Sequence, residues 1–224
     1  LRRAYVVVGI LVLTASCSGK PNDLRHYATQ DPVATTTSTA APSTTHTTTA
    51  ARPTTTTADT AVMAAQLTAG LMTDASVLDI GFHPSVPQKS TVLASLPVCG
   101  ASLSKPAAAV AGAQTGWVGA SSVTTLTEYV AAYPKTTTAA QVLAAAKAAL
   151  TCSQATKFVL AKAPTGVDAS YSWCETGSQI SCTLLLAKGH LLARAQIVTT
   201  TETKAQTLLK DIAVPAAARL AATD

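Results

Sequence analysis

Aromatic and charged side chains are scarce in this chain. Phe, Trp and Tyr make up 4% of its 224 residues, and Asp, Glu, Lys and Arg 12%, both low for a cytosolic enzyme. So few titratable groups leave little material for an acid–base site. The four histidines, His26, His46, His83 and His190, show no pair with the spacing of a metal site. No CxxC pair occurs either, so no metal and no other cofactor is expected. No Ser sits in a G-x-S-x-G elbow, and no Gly-rich phosphate loop is present. A triad would have to join His83 or His190 to Asp74, Asp79 or Asp168, which are scattered residues that any exported domain has. Glu128 and Glu175 have the chemistry of paired glycosidase carboxylates, but strand-surface Glu is ordinarily just solvated, and so few aromatics give no sugar-stacking platform. No residue set reads as catalytic, and the chain is not expected to be an enzyme.

Charge of one sign is not concentrated in the sequence. The net charge is +5, but residues 1–58 hold five Lys/Arg against two Asp/Glu, and residues 59–224 hold eleven against nine. The excess therefore falls largely in the N-terminal part. Lys89, Lys105, Lys135, Lys147, Lys157 and Lys162 are spread singly, without the clustered basic face of a nucleic-acid binder. No nucleic-acid partner is expected.

What is present begins with an export signal. Arg2 and Arg3 precede the apolar run Tyr5 to Leu13, and Thr14-Ala15-Ser16 supply small residues before Cys17. The apolar stretch is about a dozen residues, against roughly 20 for a membrane-spanning helix. A Cys directly after such a core resembles the bacterial lipobox, in which the cysteine is acylated and the leader is cleaved before it. Thr14 stands where that pattern usually has Leu. The expectation is a lipoprotein signal peptide over residues 1–16 and a lipid on Cys17. The protein would then be exported and anchored to the outer face of the cell membrane.

Residues 17–58 read as a disordered tether. Thr, Ala, Ser and Pro dominate from Ala28 to Thr60, with Pro32, Pro42 and Pro53 punctuating runs of Thr. Such a segment has almost no apolar bulk to offset its ordering entropy. Its composition resembles an O-glycosylated stalk. In extended polyproline-like form it reaches on the order of 100 Å.

The folded domain is expected over residues 59–224. Asp59 is placed to cap a first helix carrying Val62, Met63, Gln66 and Leu67 at helical spacing. Thr73-Asp74 would start a short turn through Leu78, and Gly81, Pro84 and Pro87 predict irregular chain beyond it. Gly116 to Tyr133 is rich in β-branched and aromatic residues and reads as one or two strands. Thr136-Thr137-Thr138 cap an Ala/Leu-rich helix from Ala139 to Cys152 whose buried stripe is Val142, Leu143, Ala146 and Leu150. Strands are predicted at 157–163, 169–174, 182–188 and 191–199, the last two joined by a tight Gly189-His190 hairpin. A final helix opens at Glu202. Pro215 breaks or kinks it. The fold class is α+β, an antiparallel sheet flanked by helices.

The order of lipobox-like Cys17, Thr/Pro tether, Cys99, Glu128-Tyr129-Val130-Ala131-Ala132-Tyr133-Pro134, helix ending at Cys152, Trp173-Cys174 and Cys182 resembles a mycobacterial family. This is the PknH-like extracellular sensor domain, found in a serine/threonine kinase and in lipoproteins without a kinase. The resemblance covers about residues 59–224 and implies a secreted domain with a ligand-binding cleft, two disulfides and no catalytic residues. Four cysteines allow three pairings, and sequence does not choose among them. Cys174 and Cys182 flank Gly177-Ser178 and would close a short strand–turn–strand loop. That leaves Cys99 with Cys152, a pairing with which the family's order is compatible.

Among the aromatics, Trp173 beside Cys174 reads as packing. Trp117, after Gly116 at a strand start, is the better candidate for a ligand-binding rim. The functional expectation is a tethered sensor or ligand-binding lipoprotein for a small amphipathic molecule or a glycan. The alternative is an interaction module for another envelope protein.

Overall fold

The computed structural model describes residues 56–93, 96–98, 101–103, 108–160 and 162–223. The leader, Cys17, Cys99, Lys105 and the stalk up to residue 55 lie outside the described residues. In chain order the elements are α1 (Thr56–Gly70), α2 (Asp74–Leu78), β1 (Phe82–Ser90), β2 (Leu96–Val98), β3 (Ala101–Leu103), β4 (Ala111–Gly119) and β5 (Thr125–Ala132). They are followed by α3 (Ala139–Ala149), β6 (Ala155–Phe158), β7 (Ala169–Thr176), β8 (Ile180–Lys188), β9 (Leu191–Thr199) and α4 (Glu202–Thr223). Seven strands form one antiparallel sheet in the order β1-β4-β5-β9-β8-β7-β6, and β2 and β3 make a separate hairpin. The fold class is α+β, as the sequence predicts.

Alternation of side chains divides the sheet into two faces. On the first, Trp117, Leu126, Val130, Leu184, Leu186, Ala193 and Ile197 pack with Leu67, Leu71, Met72 and Val77 of the α1–α2 region and with Leu209, Ile212, Ala216 and Leu220 of α4. On the second, Tyr129, Ala131, Trp173, Leu185 and Leu192 pack with Val142, Leu143 and Ala146 of α3 and with Leu96 and Val98 of β2. α3 begins in a capping box: Gln141 N–H donates to Thr138 Oγ1 at 3.3 Å, and Thr138 N–H donates to Gln141 Oε1 at 2.9 Å. The Gly189-His190 hairpin is present, with Gly189 at φ 51° as a two-residue turn requires.

Expectations for α1 and for the Pro-rich stretch are corrected. α1 starts at Thr56, so Asp59 lies inside it and does not cap it. Only Leu67 of the four spaced residues in α1 is fully buried; Val62 and Met63 are exposed. The Pro-rich stretch after Gly81 is a strand, not irregular chain. It is tolerated because β1 is an edge, where a missing N–H leaves no central ladder broken, and its register shifts fall between Pro84 and Val86 and between Val86 and Lys89.

Cys174 and Cys182 face each other in register across β7 and β8, with Cα atoms 4.0 Å apart, and form a disulfide in the first-face core. A loop this short contributes on the order of 2–3 kcal/mol in the chain-entropy picture. Cys152 is itself engaged and not free.

A polar knot runs from the first-face core to its rim. The Met72 N–H donates to Glu128 Oε2 at 2.8 Å, and Gln88 Nε2 donates to the Met72 carbonyl at 3.0 Å. Arg219 of α4 donates from Nε to the Leu71 carbonyl at 3.0 Å and from Nη2 to the Ala69 carbonyl. These bonds satisfy carbonyls freed where α1 ends. Gly70 lets α4 approach there, since a Cβ would sit 2.4 Å from Thr223 Oγ1. Glu128 is 1% exposed and its Oε1 has no partner. The expectation of a solvated strand Glu is therefore overturned. Burial pushes its carboxyl up to about 8, against the lowering effects of the Met72 N–H and of Arg219.

Because the folded state holds the Glu128 proton more tightly than the unfolded chain, that stabilisation is complete below about pH 4.5. It is lost as pH rises through about 8. Thermal midpoints followed by circular dichroism between these limits are expected to fall with pH in the native chain. In Glu128→Gln, which keeps an acceptor for Met72, the fall should flatten. An equal slope in both proteins would rule out Glu128 as the titrating group.

Candidate functional site

Helix lengths decide where a site can lie. α4 has 22 residues, about 33 Å at 1.5 Å per residue, which matches strands of nine residues at about 30 Å. α3 has 11 residues, about 16 Å, and covers only half of the second face. Two rows in register cross this end of the face, open at Thr127 and buried at Thr183 and Trp173. One runs Val118, Thr125, Val198, Ser181, Glu175; the other runs Gly116, Thr127, Gln196, Thr183, Trp173. Thr127 is exposed, and Glu175, Ser181, Gln196 and Val198 are half-buried.

This floor is polar and partly pre-arranged. Gln196 Nε2 donates to Ser181 Oγ at 2.6 Å, and Trp173 Nε1 donates to Glu175 Oε1 at 2.6 Å. The second bond fixes the Glu175 carboxylate over the buried indole. Thr183 is fully buried between Trp173 and Gln196 in register, and its hydroxyl has no partner. Arg194, one row toward α3 between Tyr129 and Leu185 in register, has a buried Nε–H without a partner. Burial holds its guanidinium below the usual range, partly opposed by the charge of Glu175. Two buried donors left unbonded are costly. A hollow of about 360 Å³ opens farther along the floor, lined by Gln154, Glu175, Ser181, Gln196 and Val198 but not by Arg194 or Thr183.

The residues weighed from sequence are distributed differently. Trp117 is not at a rim. It is 1% exposed in the first-face core, and its Nε1 donates to Asp74 Oδ1 at 2.8 Å. Trp173 is packing, stacked on Tyr171 with ring centroids 5.9 Å apart. Glu128 and Glu175 project from opposite faces of the sheet, so they are not a carboxylate pair. His190 Nδ1 lies 2.9 Å from the Thr137 carbonyl, and Asp168 accepts from the Gly189 N–H at 2.7 Å and pairs with Lys188 at 3.3 Å. These bonds tie down the hairpin. No cluster of metal-ligating side chains occurs among the described residues.

No protein-family model and no curated protein matches this chain. Among solved structures, the extracellular domain of PknH from Mycobacterium tuberculosis is similar at 14% identity and a TM-score of 0.47. The match covers 71% of this chain and 94% of that one. A putative uncharacterized protein from Mycobacterium smegmatis, an Rv0999 ortholog, is similar at 11% identity and a TM-score of 0.34, over 67% and 97% of the two chains.

If Arg194 is a free donor and not a structural anchor, replacing it with an apolar side chain of similar reach removes a buried N–H that has no partner. Arg194→Met should then leave the unfolding free energy unchanged or raise it by about 1 kcal/mol in urea titration. A loss of more than about 2 kcal/mol would mark Arg194 as part of the scaffold.

Proposed function

We propose that this chain is an exported, lipid-anchored protein presenting a non-catalytic ligand-binding domain on a stalk. Its ligand would be a hydroxylated, acceptor-rich molecule such as a glycan, held on the uncovered half of the second face. One observation carries the reading: Arg194 Nε and Thr183 Oγ1 are buried without partners beside a polar floor. A sugar presents both acceptors and hydroxyl donors. Its acceptors suit the Gln154 amide and the Ser181 hydroxyl that line the hollow, next to the unpartnered groups, and its hydroxyls suit Glu175 and the Gln196 amide oxygen. A mostly apolar amphiphile would leave those groups unpaired, which discriminates against it.

The anchoring part of the proposal rests on Arg2, Arg3, the apolar run and Cys17, and pairing of Cys99 with Cys152 belongs with it. The second reading, an interaction module for an envelope protein, is favoured by exposed Val62, Met63 and Val92 near an apolar hollow between α1 and β1.

The test uses residues Ala51–Asp224, a compact unit by itself. Two-dimensional NMR with a panel of oligosaccharides and amphiphiles is expected to shift Thr127, Thr183, Arg194 and Gln196 with an oligosaccharide. Arg194→Met should weaken that binding by tenfold or more, on the order of 1.4 kcal/mol. Shifts confined to α1 and β1, or full binding by the variant, would overturn the glycan reading.

A further inference from the structure

Four lysines, three from residues 147–162 and one from α4, converge at the β6 edge of the sheet. Lys157 lies on β6 itself, Lys147 near the end of α3, Lys162 in the loop after β6, and Lys210 on α4. They line two hollows of about 250 and 360 Å³ that share Leu160 and Ala163, and neither lining contains a carboxylate. The expectation that the lysines stay dispersed is overturned here: four of the eleven Lys/Arg after residue 58 meet at one end of the domain.

None of the four forms an ion pair with a described residue. Lys147 Nζ instead lies 5.7 Å from the Tyr171 ring centre, and Lys210 Nζ 5.5 Å from that of Phe158. Between the cations the chain exposes apolar side chains. Val159 is 66% exposed and Val214 67%.

A lysine on a short edge strand ordinarily deters pairing with other chains. Lys157 alone would serve that end. The other three come from two helices and a loop, and protruding valines oppose such a role. Protruding apolar side chains ringed by cations with long apolar stems match a different surface. The valines enter the acyl boundary while the ammonium groups stay among anionic headgroups.

We propose that the β6 edge seats the folded domain on an anionic lipid bilayer. This surface is separate from the Arg194 floor and does not depend on acylation of Cys17. An acidic polypeptide offers the charge but not the apolar boundary that Val159 and Val214 need.

The experiment again uses Ala51–Asp224, which carries all four lysines and lacks Cys17. It is sedimented with vesicles of phosphatidylglycerol mixed into phosphatidylcholine, and with pure phosphatidylcholine vesicles. Binding is expected only to the anionic vesicles and should weaken as salt is raised. Each lysine removed should lower partitioning on the order of fivefold, so Lys157→Glu with Lys162→Glu should reduce it well over tenfold. Val159→Ser should also reduce it. A matched control, Lys89→Glu with Lys135→Glu, changes net charge equally elsewhere and should have little effect. No sedimentation with anionic vesicles, equal losses in both double variants, or binding to polyglutamate in place of vesicles would overturn the proposal.

Discussion

A seven-stranded sheet has two faces, and each must be covered by apolar side chains or made polar. That constraint organises this protein. The long C-terminal helix and the α1–α2 region cover the first face over the central strands. The second face is closed by a short helix and a small hairpin, and they run out halfway along the strands. Where cover ends, the composition changes within single strands: Leu192 under α3 gives way to Arg194 and Gln196 along β9, and Leu185 to Thr183 and Ser181 along β8. The strand that builds the core at one end builds a polar floor at the other.

The closed face has its own polar requirement. Ending α1 at Gly70 and turning into α2 leaves backbone groups inside the core. Glu128, Gln88 and Arg219 reach them from two strands and α4. This knot joins segments nearly the whole domain apart in sequence. Both tryptophans are internal. Trp117 fills the same core, and its indole N–H is satisfied by Asp74 at the start of α2. Scarce aromatics are thus used as scaffold, and recognition falls to hydroxyl, amide and guanidinium groups.

Much of this fold was legible in the residues. The Gly189-His190 turn, the Thr138 cap and the strand at Leu191–Thr199 follow from local chemistry. The β1 strand did not, because Pro84 and Pro87 are excluded from central strands but not from an edge, and edge position is a tertiary property. The floor was partly legible: Arg194, Gln196 and Val198 alternate with Ala195 and Ile197, which marks a strand with one less apolar face. What the sequence could not show was that α3 stops short of these positions. Trp117 was misplaced for a similar reason, since a strand start gives no information on which helix lies over it. Lys147 and Lys210 join Lys157 and Lys162 at the β6 edge only through the packing of α3 and α4 on opposite faces.

The half-open second face is the claim on which the ligand reading depends, and solvent exposure by parity measures it directly. Residues Ala51–Asp224 would be studied by NMR with a soluble paramagnetic probe that relaxes only accessible side chains. An uncovered half-face predicts strong relaxation at Thr127, Ser181 and Gln196. It predicts none at Leu126 and Ile197, one residue away on the closed face. Equal shielding of both sets would show that the second face is covered along its full length, and the floor around Arg194 and Thr183 would then be interior and not a binding surface.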